Sequence, residues 1–150
     1  MTLAFNDQIG FTTPSKIRCK TYILIDDKPY QIIKTAGPIV TSKHGSAKYI
    51  FDALQIGNNK KKIMAYRSHD KVPMPILERM DLQLLNIEDD EFMTLMTLMT
   101  GDDRLFEGVP VPKNALGELI LKKFTASQQL VITIKGFKDS YEISGYKEEN

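Results

Sequence analysis

Residues 40–48, Val40-Thr41-Ser42-Lys43-His44-Gly45-Ser46-Ala47-Lys48, lie between two extended apolar runs, 29–35 and 48–54. Such a pair of runs closes as a β-hairpin with the polar stretch as its loop. Gly45 supplies the positive φ that a tight tip requires, and Thr41 and Ser42 can hydrogen-bond their own backbone to brace the approach. Lys43 then projects from the end. Between Lys28 and Phe51 the sequence holds Lys28, Lys34, Lys43 and Lys48 and no Asp or Glu, so no sequence neighbour pairs the Lys43 ammonium. Most lysines in glycine-bearing turns are only solvated charges. Spacing alone does not separate that reading from a recognition arm.

The remainder reads as short strands with one late helix. Residues 17–25 and 30–34 are rich in Ile and Tyr and joined by Asp26-Asp27-Lys28-Pro29, a turn that places proline where no ladder hydrogen bond is lost. After the hairpin, Gly57-Asn58-Asn59 marks a turn, and Lys60-Lys61-Lys62 leads into Ile63-Met64-Ala65-Tyr66. Residues 82–87 and 92–99 are two more strands, separated by the acidic turn Glu88-Asp89-Asp90-Glu91. The second carries a Thr-Leu-Met repeat of period three, which matches neither a helix face nor a strict strand; its threonines favour a strand with a bulge. Asn114 caps a helix over 115–124, with Leu116, Leu119, Ile120 and Lys123 on one stripe. Strands over 129–135 and 141–143 follow. The pattern predicts an all-β chain whose second half is an OB-type barrel.

Charge divides the molecule in two. Residues 1–72 hold ten Lys and two Arg against five Asp and no Glu, a net of +7, whereas residues 73–150 hold six Lys and two Arg against fourteen acids, a net of −6. The overall +1 conceals this split. A basic half joined to an acidic one points to a module facing nucleic acid or a membrane surface, tied to another that does not. Pro73 and Pro75 disfavour helix and remove two backbone donors, so residues 69–75 read as a stiff connector. The expected organisation is a flexible tail over 1–15, a basic domain over 16–72 and an acidic domain over 73–150.

Several chemistries find no support. No apolar run approaches the roughly 18–20 residues that cross a bilayer, and the first fifteen residues lack a signal pattern, so a cytosolic location is expected. Cys19 is the only cysteine, which excludes an intrachain disulfide and a cysteine-rich metal site; it is expected to pack in a strand as a small hydrophobe. His69 and Asp70 are adjacent, but no Ser, Cys or second His stands at a spacing that would complete an active site.

Lys43-His44-Gly45, with Thr41-Ser42 before and Ala47-Lys48 after, resembles the loop of the eukaryotic and archaeal translation factor five-A family. In that family the lysine directly before His-Gly is converted to hypusine, and the loop usually reads Ser-Thr-Ser-Lys-Thr-Gly-Lys-His-Gly-His-Ala-Lys. Here Ser42 stands where the family has glycine, Ser46 replaces the second histidine, and Gly37-Pro38-Ile39-Val40 occupies the upstream part. The likeness extends over 17–137. Asp81-Leu82-Gln83-Leu84-Leu85 with Ile87 is similar to the opening of the family's second domain, and Leu116-Gly117-Glu118-Leu119-Ile120 to its helix.

The resemblance implies an N-terminal SH3-like barrel followed by a C-terminal OB-fold barrel with one short helix. It also implies a translation factor of the cytoplasm, not an enzyme, bound near the ribosomal exit-tRNA site. Its modified loop lysine would promote peptide-bond formation at stalled sequences and assist termination. Lys43 would be the hypusine position, with Thr41, Ser42, His44, Gly45, Ser46 and Lys48 as its supporting loop. Lys34, Lys60, Lys61, Lys62 and Arg67 are the candidate RNA contacts. Ribosomal RNA, peptidyl-tRNA and ribosomal proteins would be the partners, with deoxyhypusine synthase and deoxyhypusine hydroxylase as modifying enzymes. No cofactor or metal is expected beyond the spermidine-derived modification, and no membrane partner. Two alternatives stand beside this reading: a divergent RNA- or ribosome-binding protein whose loop lysine stays unmodified, and an enzyme using His44 or His69.

Overall fold

The computed structural model describes residues 2–40 and 47–149. Its backbone contacts divide into two compact units, Phe5–Leu77 and the pair of segments Met1–Ala4 and Glu78–Asn150.

In the basic unit, strands β2 (Tyr22–Ile25), β3 (Lys28–Ile39), β4 (Lys48–Gln55) and β5 (Lys61–Arg67) form an antiparallel sheet in the order β2-β3-β4-β5. Asp26 and Asp27 both have positive φ, 52° and 64°, between the closing pair Ile25 and Lys28. That is the backbone of a two-residue hairpin turn whose twist matches the strands it joins. Pro29 sits in β3 opposite Leu24, and its carbonyl accepts from the Ile56 N–H at 3.1 Å; the reciprocal bond of that pair is the one the proline nitrogen cannot donate. Along β5 exposure alternates residue by residue, which is the period of a sheet with one face covered. The covered face holds Ile23, Ile25, Tyr30, Ile32, Phe51 and Ala53, joined by Ile17 and Val72. Burying each of the larger aliphatic side chains contributes about 1.5–3 kcal/mol.

Three expectations fail in this unit. The first fifteen residues, read as a flexible tail, include β1 (Ile9–Thr12), which pairs antiparallel with β6 (Val72–Pro75) from Ile9↔Pro75 to Thr12↔Val72. The stretch read as an interdomain connector is therefore partly a strand, and the unit runs on to Leu77. Two prolines are tolerated because β6 has only one ladder neighbour, so each proline nitrogen can face away from it. Cys19, expected in a strand core, is exposed in a turn before Lys20, whose φ is +74°. Ile17 fills the core position instead, at 3% exposure.

The acidic unit is one five-stranded antiparallel sheet in the order β11-β10-β7-β8-β9, built from β7 (Glu78–Asp89), β8 (Thr94–Met99), β9 (Leu105–Pro110), β10 (Gln129–Phe137) and β11 (Ser140–Glu149). The Thr-Leu-Met run is β8, and it alternates regularly, with Met96 and Leu98 fully buried and Leu95, Thr97 and Met99 only partly so. The bulge expected in this run lies instead on its neighbours: Glu107 and Gly108 of β9 stand opposite Thr97, and Leu85 of β7 is the extra residue between the pairs Leu84↔Leu98 and Asn86↔Thr97. Phe92, read as the start of that strand, lies outside it and is 79% exposed. β9 escaped the sequence reading, since Glu107 and Gly108 interrupt its apolar residues.

Helix α1 (Ala115–Thr125) forms between β9 and β10. Asn114 caps it, its side-chain oxygen accepting from the Gly117 N–H at 3.1 Å. The face turned inward carries Gly117 and Ile120, whereas Leu119 is 44% exposed, so the stripe lies rotated from the one read in sequence. Gly117 is there because nothing larger fits: a Cβ would lie 1.7 Å from the Pro112 carbonyl oxygen.

Candidate nucleic-acid interface

Strands β3 and β4 are the arms of the basic hairpin. Their last described register pair is Ile39↔Lys48, so residues 40–47 connect them. Thr41, Ser42, Lys43, His44, Gly45 and Ser46 fall outside the described residues. The root of the connection is well braced. Gly37, at φ +123°, lets β3 leave the ladder in a bulge between Ala36 and Ile39, and a Cβ there would meet the Lys48 carbonyl oxygen at 2.7 Å. Opposite, the Ser68 N–H donates to the Ala47 carbonyl at 2.9 Å. Both sides of the loop are thus anchored in the sheet.

Register decides which of the candidate RNA contacts act together. Directly paired residues of an antiparallel sheet share a face. Lys34 pairs with Asp52, Lys48 with both Ile39 and Arg67, and Leu54 with Lys61. Lys48, Asp52 and Leu54 lie at even steps along β4, so Lys34, Lys48, Lys61 and Arg67 all belong to the outer face of β3-β4-β5. All four are exposed. One carboxylate interrupts this face: Asp52, 3.4 Å from the Lys61 ammonium.

The run Lys60-Lys61-Lys62 does not act as a block. Lys60 belongs to the β4–β5 turn, where its N–H donates to the Asn58 side chain at 3.1 Å. Lys62 pairs with Ala53 on the other face and its ammonium lies 2.8 Å from Asp26, which holds its pKa above the ordinary lysine value chiefly through that hydrogen bond. Lys62 is consequently committed inside the protein, more closely than Lys61 is to Asp52.

The histidine–aspartate pair is structural in its acidic half. Asp70 accepts from the Arg67 N–H at 2.7 Å and closes the turn between β5 and β6, while His69 is exposed beside it. Among the described residues no group of three His, Cys, Asp or Glu side chains is placed to hold a metal, and no helix is long and apolar enough to cross a membrane. Arg18 and Tyr49 were not singled out from sequence, because each looked like one more strand residue. The fold sets both beside the hairpin root, around the Gly37-Pro38 bulge.

In the acidic unit, charge is spent internally. Asp81 accepts from the Thr133 hydroxyl at 2.7 Å and is flanked by Arg79 and Lys147; the hydrogen bond is the largest influence lowering its pKa. Lys123 of α1 meets Glu148 of β11 at 2.8 Å.

Comparison with known proteins places this arrangement. A family model described as eukaryotic elongation factor 5A hypusine, DNA-binding OB fold, matches residues 76–147. The eukaryotic translation initiation factor 5A of Drosophila melanogaster is 34% identical over 120 residues, covering 80% of this chain and 73% of that protein. Factor 5A-1 of Saccharomyces cerevisiae is 32% identical over the same length and shares. Among solved structures, the factor 5A of Methanococcus jannaschii superposes with a TM-score of 0.71 at 19% identity, covering 97% of this chain and all of the other. A factor 5A family protein of Naegleria fowleri gives 0.67 at 20% identity, covering 93% and 98%. The fold is accordingly an SH3-like barrel followed by an OB fold.

Proposed function

This chain belongs to the eIF-5A family of translation factors, and on that premise we propose that it binds the ribosome near the exit-tRNA site and works through Lys43. The observation that carries the reading is the Lys43-His44-Gly45 motif in the connection between β3 and β4 of the basic unit. Lys43 receives the aminobutyl group of spermidine through deoxyhypusine synthase, with or without later hydroxylation. The lengthened arm carries a second amine towards the acceptor end of the peptidyl-tRNA, where phosphate and 2′-OH groups take its hydrogen bonds. It promotes peptide-bond formation at slow sequences by holding a reactive geometry, without entering the chemistry, and the chain is not itself an enzyme.

The outer face of β3-β4-β5 supports this role. Lys34, Lys48, Lys61 and Arg67 would meet ribosomal or transfer RNA through sequence-independent phosphate contacts, so affinity falls with added salt. An OB unit of net negative charge, with Arg79, Arg104, Lys123 and Lys147 beside its own carboxylates, does not extend that surface. It is left for protein contacts on the ribosome.

Mass analysis of the peptide containing Lys43, from protein purified from its native cell, tests the proposal. An added aminobutyl group, with or without one oxygen, is the expected result. Lys43→Arg retains charge but cannot accept that group, and is expected to fold normally and lose translation support. Full activity in that variant would defeat the modification mechanism. A second reading draws on Ser42 and Ser46, which depart from the family loop: a divergent RNA or ribosome binder with an unmodified lysine, for which Lys43→Arg costs little.

A further inference from the structure

Beside the hairpin root, the turn of 3-10 helix Pro14–Lys16 and the Gly37-Pro38 bulge enclose a cleft of about 340 Å³ in the basic unit. Its lining includes Pro14, Arg18, Thr35, Pro38, Tyr49 and Phe51. We propose that this cleft is a binding site for one unstacked nucleotide of single-stranded RNA, its base against Tyr49 and its phosphate on Arg18. The proposal rests on the reading of the basic unit as RNA-binding and adds to it a contact on the other side of the sheet, since Tyr49 and Phe51 lie at odd steps of β4, opposite in face to Lys48.

Three features point to that ligand. First, the cleft has an aromatic floor. The Tyr49 and Phe51 rings stack with centroids 6.5 Å apart and planes 8° from parallel, Phe51 being buried and Tyr49 half-buried. Among the described residues the Tyr49 hydroxyl has no hydrogen-bond partner, so a polar group remains on offer. Two proline rings complete flat apolar walls, the surroundings in which single bases are held by stacking at about 1–3 kcal/mol each.

Second, the cation is positioned but not neutralised. The Arg18 Nη1 donates to the carbonyl oxygens of Ser15 at 2.8 Å and Ile17 at 3.4 Å. These neutral acceptors fix the guanidinium and leave Nε and Nη2 to donate elsewhere. No carboxylate lines the cleft, and among the described residues none pairs with Arg18. A fixed guanidinium with open donors suits the oxygens of a phosphate.

Third, size and place fit. The volume is at the lower end for a small-ligand site, room for a single nucleotide. Its wall at Gly37-Pro38 precedes Lys43 by five to six residues in sequence.

The test is fluorescence anisotropy of the full chain with a labelled uridine hexamer, across a salt series. Arg18→Gln is expected to weaken binding about tenfold and to lower the salt slope by about one. Tyr49→Leu is expected to weaken it about tenfold without changing the slope. A melting curve checks that Tyr49→Leu still folds; Arg18 is exposed, so its variant carries the test if Tyr49→Leu does not. AMP should compete and ribose 5-phosphate should not. Hexamer binding unchanged in both variants overturns the nucleotide site and leaves the RNA reading of the unit standing. Equal competition by ribose 5-phosphate also overturns it, since the base then contributes nothing. AMP shifting the Tyr49 NMR signals in a protein that ignores the hexamer supports the cleft as a site for a free nucleotide and removes the RNA reading. Binding of neither removes both.

Discussion

The two units spend their charge in opposite ways. In the acidic unit the ionised groups that define its interior edge are paired within the fold: Asp81 with Thr133, Arg79 and Lys147, Lys123 with Glu148, Arg104 with Asp102. In the basic unit, Lys34, Lys48 and Arg67 lie on one exposed sheet face, and among the described residues none of these three side chains meets a carboxylate, whereas Lys61 meets Asp52 and, on the other face, Lys62 meets Asp26. Exposed pairs of either kind are worth only about 0–1 kcal/mol, so the difference is not one of stability. It is one of availability: Arg79, Arg104, Lys123 and Lys147 are committed to carboxylates of their own unit, whereas Lys34, Lys48 and Arg67 are presented on one face.

Substitutions that damage one unit and spare the other test that division. The largest effect is expected from Gly117→Ala, because the Pro112 carbonyl that its Cβ would strike is backbone and cannot swing aside. A loss of about 3 kcal/mol or more should appear as a lowered unfolding midpoint for the acidic unit. An unchanged midpoint would mean that α1 can slide off the strand without cost, and that the glycine is not what sets their approach.

Gly37→Ala is the counterpart in the basic unit. It forces a side chain into φ +123° and to within 2.7 Å of the Lys48 carbonyl. A cost of about 1–3 kcal/mol is expected, with amide exchange quickened at β3 and β4 and unchanged across β7 and β10. Exchange quickened equally in both units would show that the two do not behave independently. Asn114→Ala, which deletes the helix cap, should cost about 1 kcal/mol, read as a shift in denaturant midpoint with an unchanged slope.

The smallest effect concerns pH. Asp81 has its carboxyl held below the usual range, chiefly by Thr133. Its contribution is therefore fully present above the unfolded carboxylate value of about 3.9 and is lost as pH falls through the lower folded value. Comparing wild type with Asp81→Asn from pH 7 to 2, the stability gap should be constant down to about pH 5 and then close. A gap that widens on acidification would mean that Thr133 bonds the protonated form instead.

Legibility followed the range of the interactions. The Asn114 cap, the helix after it and the Asp26-Asp27 turn were readable because each is satisfied within about four residues of chain. The bulge expected in the Thr-Leu-Met run was misplaced, because β8 alternates regularly and the extra residues at its register shifts belong to β7 and β9, the strands beside it. Lys60, Lys61 and Lys62 were not separable, since adjacent strand residues alternate faces and only the partner strand says which face is covered. Leu119 misled the helix stripe because the buried face is set from outside the helix: Gly117 lies against Val111 and Pro112, which turns Gly117 and Ile120 inward and leaves Leu119 exposed.

By itself the sequence determined the family, the all-β character, the position of the helix and the segregation of charge into halves. These follow from local backbone preference, side-chain period and composition, which need no knowledge of partners. The tertiary structure decided that residues 9–12 pair with residues 72–75, that Cys19 faces solvent while Ile17 does not, and that Lys34, Lys48, Lys61 and Arg67 share one face. The physical reason is register: a strand carries two faces and two edges, and which of them is buried is fixed only by the strand hydrogen-bonded beside it.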